Sequence, residues 1–359
     1  MLKILLHGEP LKEGMGTWCY AETLKQMGHT VIPYHYYENI EFYHRSLLWR
    51  AVRKINLRNL WEPHRLLHVG GLLKKVRETQ PDIVIIAKGL FFSREDIDQI
   101  KQEGAWVVNI NHDDFFSKNI NNHSAIQRAA LPAYDYLFTT REVNVAELKP
   151  YNPNVAFFMF SYYPAIHKEP QLTAEEAAKW QTDVLFVGSR YAHRTQLLTQ
   201  LVNTVKADYA IYGPQWDKLS ATSPLAKYVK NRPIYGEDMA KAMRAAKITL
   251  GFLAKENRDD YTQRTFEIPA CGGVMLIERT ARHLAFYQEG IEAEFFDADS
   301  ADELCQKVQF LLDNDAYREA MRKAGHEALQ RQPHTYRNRL EQLIGLYFAH
   351  RRPEAATCA

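Results

Sequence analysis

The sequence predicts an α/β protein made of two successive doubly wound domains, each a parallel sheet flanked by helices. Three observations carry this. Short apolar runs recur along the chain, among them Leu2–Leu6, Val184–Val187, Ile248–Leu253 and Val274–Ile277, each bounded by polar or glycine positions as buried parallel strands are. At 359 residues the chain exceeds one ordinary core and suits two domains. A stretch rich in proline and charge, Ser161 to Trp180, separates two fresh strand–turn–helix beginnings and reads as a linker. The expected division is a first domain over 1–162, a linker over 163–182, a second domain over 183–332 and a closing helix over 333–350.

Composition narrows the class. Hydrophobic residues make up 46% and charged residues 25%, with no low-complexity tract, and a net charge of +2 supplies no global attraction to nucleic acid. Cys19, Cys271, Cys305 and Cys358 show neither CxxC nor Cys/His spacing, which argues for a reducing compartment and against a zinc site. Cys271, beside two glycines and with no base tied to it in sequence, reads as a small packing residue. Residues 1–8 are too short for a signal h-region, and no apolar run reaches the length of a membrane span. These features lead us to expect a cytoplasmic protein.

In the first half, Leu2–Leu6 is the first strand. The loop from His7 to Gly16 carries Gly8, Gly14 and Gly16 before a helix that Thr17 would cap, which runs to Met27 with Gly28 beyond it; His29–Tyr34 follows as a strand. This is not a dinucleotide GxGxxG, since only Gly14-Met15-Gly16 has the spacing and no acidic residue closes the second strand. The loop serves equally as a connection or as a phosphate or sugar contact. Between Glu41 and Gln80, Arg45, Arg50, Arg53, Lys54, Arg58, Arg65, Lys74, Lys75 and Arg77 interleave with leucines and tryptophans. The pattern is one or two amphipathic basic helices broken near Pro63 and Gly70-Gly71. Such a face over 45–77 suits an anionic membrane surface, at the inner membrane face, or a polyanionic acceptor; a solvated helix packed on the sheet is the plainer alternative.

Residues 81–89 form a strand and loop, Ser93 caps a helix over Arg94–Glu103, and Ala105–Ile110 is a strand ending in Asn111-His112-Asp113-Asp114. Chemistry in α/β proteins collects at the carboxyl ends of strands, so His112 and Asp113 are candidates to act on an acceptor hydroxyl, with a helix cap as the alternative. Tyr134–Thr140 and Val155–Phe160 complete the first set of strands.

The second half opens with Asp183–Val187 and the turn Gly188-Ser189-Arg190, followed by Arg194. Tyr209–Gly213 is a strand and turn, and Asn231–Gly236 another, leading to a helix over Met239–Ala246. Then comes the most informative stretch, Lys255–Thr280: a strand, a polar loop, a helix starting near Asp260 or Thr262, a stop at Cys271-Gly272-Gly273, and a strand. This order points a helix N-terminus and a carboxylate-rich loop at a strand's carboxyl end, where doubly wound sheets hold phosphates. Asp259 and Glu267 bracket the helix start, with Arg264 one turn before Glu267 and able to pair with it. Glu294–Phe296 is a further strand, Ser300 caps a helix over Ala301–Asp313, another helix follows Asp315, and His334–Tyr347 closes the chain.

The run Phe266-Glu267-Ile268-Pro269-Ala270-Cys271-Gly272-Gly273, an apolar strand and Glu278 resemble the signature of the CgeB-like glycosyltransferases, a branch of the group-one glycosyltransferases. Phe186-Val187-Gly188-Ser189 and "KGLFFS" at 88–93 resemble further parts of that family. The resemblance implies a GT-B fold, two Rossmann-like domains facing a cleft with a C-terminal helix crossing back to the first. It implies transfer of a sugar from a nucleotide-diphospho-sugar, which is the donor substrate, with no cofactor, to a glycan, lipid or protein acceptor. Glu267 would hold the ribose, Asp259 would lie by the donor sugar, Gly188, Ser189, Arg190 and Arg194 would surround the diphosphate, and Arg264 would also bind the donor. Tyr235 and Gly236 would lie by the nucleobase, and Gly16 on the loop over the donor. On that resemblance the arginines and a helix N-terminus would stabilise the leaving group without a metal, and the acidic-x7-Glu element implies retention of configuration. A nucleotide-sugar epimerase and a non-catalytic sugar-nucleotide-binding module are the alternatives.

Overall fold

The computed structural model describes residues 1–39, 62–117, 122–331 and 334–351. The chain forms two compact units, one holding Met1–Met159 with the chain from Tyr336 onward, the other Phe160–Thr335.

The first unit is a six-stranded parallel sheet in the order β2-β1-β3-β4-β5-β6. Its elements run β1 (Lys3–Gly8), α1 (Gly16–Gln26), β2 (Thr30–His35), α2 (Glu62–Thr79), β3 (Ile83–Ala87), α3 (Arg94–Gln102), β4 (Trp106–Asn111), α4 (Ala125–Ala130), β5 (Tyr136–Thr139), α5 (Glu142–Leu148) and β6 (Val155–Phe157). Ile4, Leu5, Ile83, Val84, Ile85, Ile86, Val107 and Val108 are fully buried, because both faces of the sheet are covered over its central strands β1, β3 and β4.

Two expectations need correction here. Thr17 does not cap α1; the helix starts at Gly16 with Met15 before it, and the Thr17 hydroxyl instead accepts the Glu9 N–H at 3.0 Å. Gly70-Gly71 does not break the basic segment, since α2 runs through it unbroken. Gly71 is there for close approach: a Cβ would stand 1.9 Å from Asn39 Nδ2 and 2.6 Å from the Tyr34 hydroxyl. Val69, Leu72, Leu73 and Val76 face the core, Arg65 pairs with Asp96 and Arg77 with Glu103. The remainder of the basic segment, with Arg45, Arg50, Arg53, Lys54 and Arg58, lies outside the described residues.

The second unit is a five-stranded parallel sheet in the order β11-β10-β9-β7-β8. It comprises α6 (Ala174–Trp180), β7 (Thr182–Val187), α7 (Ala192–Thr204), β8 (Tyr209–Tyr212), α8 (Gly236–Ala245), β9 (Ala246–Gly251), α9 (Arg264–Ala270), β10 (Met275–Glu278), α10 (Ala281–Phe286), β11 (Glu294–Phe296), α11 (Ala301–Asp313) and α12 (Asp315–Gln330). The stretch read as a linker carries α6, closed at its start by a Thr173–Glu176 capping box and ending in the buried Trp180. Asn231–Gly236, expected as a strand, is irregular: Asn231 is left-handed (φ 48°) and Pro233 has no N–H for a ladder, so only the bridge Ile211↔Val229 forms nearby. The helix α9 begins at Arg264, later than Asp260 or Thr262, although the Thr262 hydroxyl accepts the Arg264 N–H at 3.2 Å. Its other end is as the sequence reads. Gly272 is left-handed, and the bonds Gly273 N–H to Ile268 O (2.9 Å) and Gly272 N–H to Pro269 O (3.1 Å) make a Schellman motif.

The last described element, α13 (Tyr336–Arg351), belongs to the first unit. Leu340 and Leu343 are buried there, Tyr336 meets Tyr20 edge-on, and Tyr347 packs on Trp106.

Candidate functional site

At the carboxyl edge of the second sheet, backbone and arginine side chains lock the strand ends together. The Gly188 N–H donates to Tyr212 O at 2.9 Å, and Trp216 Nε1–H donates to Gly188 O at 2.9 Å. Gly213 (φ +141°) comes so near that a Cβ there would stand 2.1 Å from Gly188 O, which only glycine permits. Ser189 and Arg190 continue this turn half-buried, and the Arg190 N–H donates to Pro214 O at 3.1 Å.

Arg194, on α7, turns inward and is 7% exposed. Its Nη1 donates to Ser189 O at 3.1 Å and its Nη2 to Phe252 O at 3.0 Å, so the side chain ties the end of β7 to the end of β9, with the Tyr191 ring 4.7 Å from its guanidinium. Nε has no hydrogen-bond partner among the described residues. Burial lowers the guanidinium's proton affinity, and Tyr191, Glu278, Asp259 and Glu256 oppose that shift. Arginine stays charged in proteins, so the carboxyl groups of Glu278, Asp259 and Glu256 are its countercharges. The sequence leads one to expect a side chain reaching out to phosphate; the structure has one holding two loops from beneath.

Arg264 donates from Nε to Val187 O at 3.2 Å and pairs with Oε2 of Glu267. Glu267 is 3% exposed, with Oε1 3.7 Å from His167 Nε2. The Tyr163 N–H donates to His167 Nδ1 at 3.1 Å, so in the neutral ring Nε2 carries the proton and faces the carboxylate. Burial lowers the His167 pKa, partly offset by Glu267. Asp259 accepts the Ala254 N–H at 3.4 Å through Oδ2 and lies within electrostatic reach of Arg194. Cys271 is buried and its thiol is pushed well up by burial, in keeping with a packing role. Tyr235 is the residue before α8 and Gly236 its first; Gly213 N–H to Arg232 O at 3.3 Å holds that segment beside the end of β8. Thus Gly188, Ser189, Arg190, Arg194, Arg264, Glu267 and Asp259 gather around the ends of β7 and β9.

The first sheet's carboxyl edge has other chemistry. His112 Nε2 lies 3.2 Å from the Tyr20 hydroxyl, and burial holds its pKa down to about 4, so the ring is neutral near pH 7. Asp113 Oδ2 pairs with Lys88 Nζ at 2.6 Å. Lys88 is left-handed (φ 59°), fixed by its N–H to Ile110 O and by Gln127 Nε2 donating to its carbonyl at 2.5 Å. Glu9 stands in the same field: burial raises its pKa, Lys88 opposes and Asp113 adds. Gly16 opens α1, and a Cβ there would stand 3.8 Å from the Tyr336 hydroxyl.

Behind this edge His7 Nε2 meets His68 Nε2 at 3.1 Å, both rings buried. His68 Nδ1 faces Glu38 O at 3.1 Å and must donate, so His7 Nε2–H donates to His68. Glu9 and Lys88 each follow a strand directly, so their position alone marks them; His167, a hundred residues from its partner, leaves no such mark. Among the described residues no group of three or more His, Cys, Asp and Glu side chains is arranged to hold a metal ion, and no helix is long and apolar enough to cross a membrane.

Two parallel-sheet, Rossmann-like units with these glycine turns give the chain the GT-B fold of glycosyltransferase structures. Residues 168–345 match the family model described as glycosyl transferase-like. Among solved structures, sucrose-phosphate synthase from Thermosynechococcus elongatus is similar at 12% identity and a TM-score of 0.68, over 98% of this chain and 99% of that one. HepE from Anabaena, solved with UDP-glucose, is similar at 10% identity and TM-score 0.66, over 97% and 100%. A Listeria monocytogenes protein named as a UDP-N-acetylglucosamine 2-epimerase is similar at 13% identity and TM-score 0.58, over 98% of each chain. No curated protein matches in sequence.

Proposed function

We propose that the chain is a glycosyltransferase that moves a sugar from a nucleotide-diphospho-sugar to a hydroxyl-bearing acceptor, such as a cell-surface glycan, a lipid or a protein. The family match over 168–345 carries this reading, because that span holds every second-unit residue proposed for the donor. The diphosphate sits by Gly188, Ser189, Arg190 and Arg264, with the fixed charge of Arg194 beneath. Glu267 accepts from the ribose hydroxyls, Tyr235 and Gly236 lie by the base, and Asp259 by the donor sugar. In the reaction the bond from C1 to the diphosphate oxygen breaks with its electron pair leaving on phosphate, and the acceptor oxygen bonds C1. His112 and Asp113 orient the acceptor hydroxyl and take its proton, and Gly16, at the start of α1, serves the donor. Preorganised positive charge where phosphate charge develops is the main catalytic contribution expected of this arrangement, with no metal and no cofactor. Retention of configuration and the CgeB-like branch rest on the FEIPACGG run, and contact of residues 45–77 with an anionic inner membrane face on its basic composition.

The likeness to the Listeria epimerase supports a second reading, inversion of one sugar centre with no acceptor. Incubation with UDP-glucose and UDP-N-acetylglucosamine, with and without a lysate acceptor, separates them. Free UDP with a glycosylated product supports the transferase; an altered sugar still on UDP supports the epimerase. Binding without either product leaves a sugar-nucleotide-binding module and overturns both.

A further inference from the structure

Glu278 closes β10 and is 2% exposed, yet no part of the proposed mechanism uses it. The Leu253 N–H donates to its carboxylate, while Oε1 has no hydrogen-bond partner among the described residues. One residue earlier in the same loop, Phe252 O accepts from Arg194 Nη2. The segment Phe252–Leu253 is therefore gripped by a cation on its carbonyl and a carboxylate on its amide. That segment begins the loop carrying Asp259, whose side chain in turn accepts the Ala254 N–H.

The charged groups around Glu278 are Arg194 from α7, Lys255 from the turn after β9, and Asp299 ahead of α11, with Lys255 and Asp299 paired at 2.6 Å. Glu256 and Asp259 bear on Arg194 from the same loop, and His193 Nε2 lies 3.0 Å from Leu253 O. Burial pushes the Glu278 carboxyl up to about 7, against the pull of the Leu253 amide, Arg194 and Lys255. A carboxyl poised there changes charge with small changes in the field around it.

We propose that Glu278 is a positioning residue of the donor edge: it anchors the start of the Asp259 loop through Leu253, and as buried countercharge of Arg194 it takes up a proton when a nucleoside diphosphate binds. This rests on reading that edge as the donor site. Phosphate charge brought near Arg194 replaces the countercharge that Glu278 supplied and repels the carboxylate, so a proton from solvent neutralises it. The protonated group keeps a carbonyl oxygen for the Leu253 N–H, and the loop stays anchored.

The test uses UDP and the full chain. Calorimetry at pH 7 in two buffers of different ionisation enthalpy gives the protons taken up on binding. With the carboxyl at about 7, Glu278 is half-protonated and contributes uptake of up to about half a proton. Glu278→Gln, which still accepts the Leu253 N–H, should lose that contribution, while the ionisation of UDP itself is common to both proteins. Equal uptake by wild type and Glu278→Gln overturns the coupling. Amide hydrogen exchange across 253–259 tests the anchor without nucleotide: Glu278→Ala should speed exchange of Leu253 about tenfold or more, and Glu278→Gln should stay near wild type. Unchanged exchange in Glu278→Ala overturns the anchor. If wild type does not bind UDP, the donor reading fails and the coupling with it, while the exchange result still decides the anchor.

Discussion

At the carboxyl edge of the first sheet the charged side chains are tied to one another, Lys88 to Asp113 with Glu9 in the same field; at that of the second they are tied largely to the backbone, Arg194 to the carbonyls of Ser189 and Phe252, Arg264 to that of Val187. Both edges come from the same parallel topology. The difference lies in what each can do when a substrate arrives. Charges fixed to backbone cannot relax away, so they supply a field set in advance, as a leaving diphosphate requires. Charges paired with each other, beside a neutral imidazole, can exchange partners and protons with a hydroxyl.

The largest way to break this comparison is Arg194→Ala. It removes the donors of two loop carbonyls and one of the two cations acting on Glu278, so we expect a loss of about 2–5 kcal/mol in urea unfolding, the scale for leaving two buried carbonyls unpaired. Transfer in the folded fraction should fall on the order of a hundredfold, and Arg194→Lys should recover only part, since a point charge reaches one carbonyl at a time. Wild-type stability in Arg194→Ala would show that the two loops do not depend on it. His112→Ala tests the other edge: single-turnover transfer should fall about a hundredfold while UDP affinity measured by calorimetry stays unchanged. An equal fall in UDP affinity would erase the division of labour between the edges.

Glu267→Gln sharpens the second edge. Hydrogen bonds to charged groups contribute about 1.5–3 kcal/mol, so UDP should bind roughly ten- to a hundredfold more weakly, and unchanged affinity in a folded variant would remove Glu267 from the site.

A fourth expectation concerns pH. His7, His68, His112, His167, His193 and His283 all have folded pKa values lowered chiefly by burial, His112 and His283 to about 4. The unfolded chain binds protons below about 6.5 that the folded chain refuses, so the neutral rings' stability is present above that pH and is lost as pH falls from about 6.5 toward 4. Thermal unfolding across that range should show the midpoint falling, and a flat profile would contradict it. The smallest effect expected is in α2: Gly70, with open space around its Cβ position, should gain about 0.5–1 kcal/mol as Gly70→Ala, whereas Gly71→Ala should lose stability. Equal effects at both glycines would mean that Gly71 does not lie against Asn39.

The order of strands and helices was legible because buried parallel strands are short and apolar and helices announce themselves by caps: Ser93, Ser300 and Gly272 do in the structure what their types suggest. Gly70-Gly71 misled because a glycine pair signals a break in isolation, while here one member makes room for the Tyr34–Asn39 side chains. Thr17 misled because its hydroxyl found a loop amide rather than its own helix. In the candidate site, the Arg264–Glu267 pair was readable from helical spacing. The inward turn of Arg194 was not, because it depends on the Phe252 carbonyl, 58 residues away and brought near only by the sheet. His167 and the His7–His68 pair escaped for the same reason.

One feature of the first unit bears on how the chain is born. Its core includes Leu340 and Leu343 of α13, and Gln342 donates to Phe157 O at 3.2 Å, yet all of Phe160–Thr335 is synthesised before that helix. Domains usually mature in the order they leave the ribosome. Here the later unit has every one of its segments in hand first, and the six-stranded sheet waits, with the seat of α13 uncovered, until its last helix emerges.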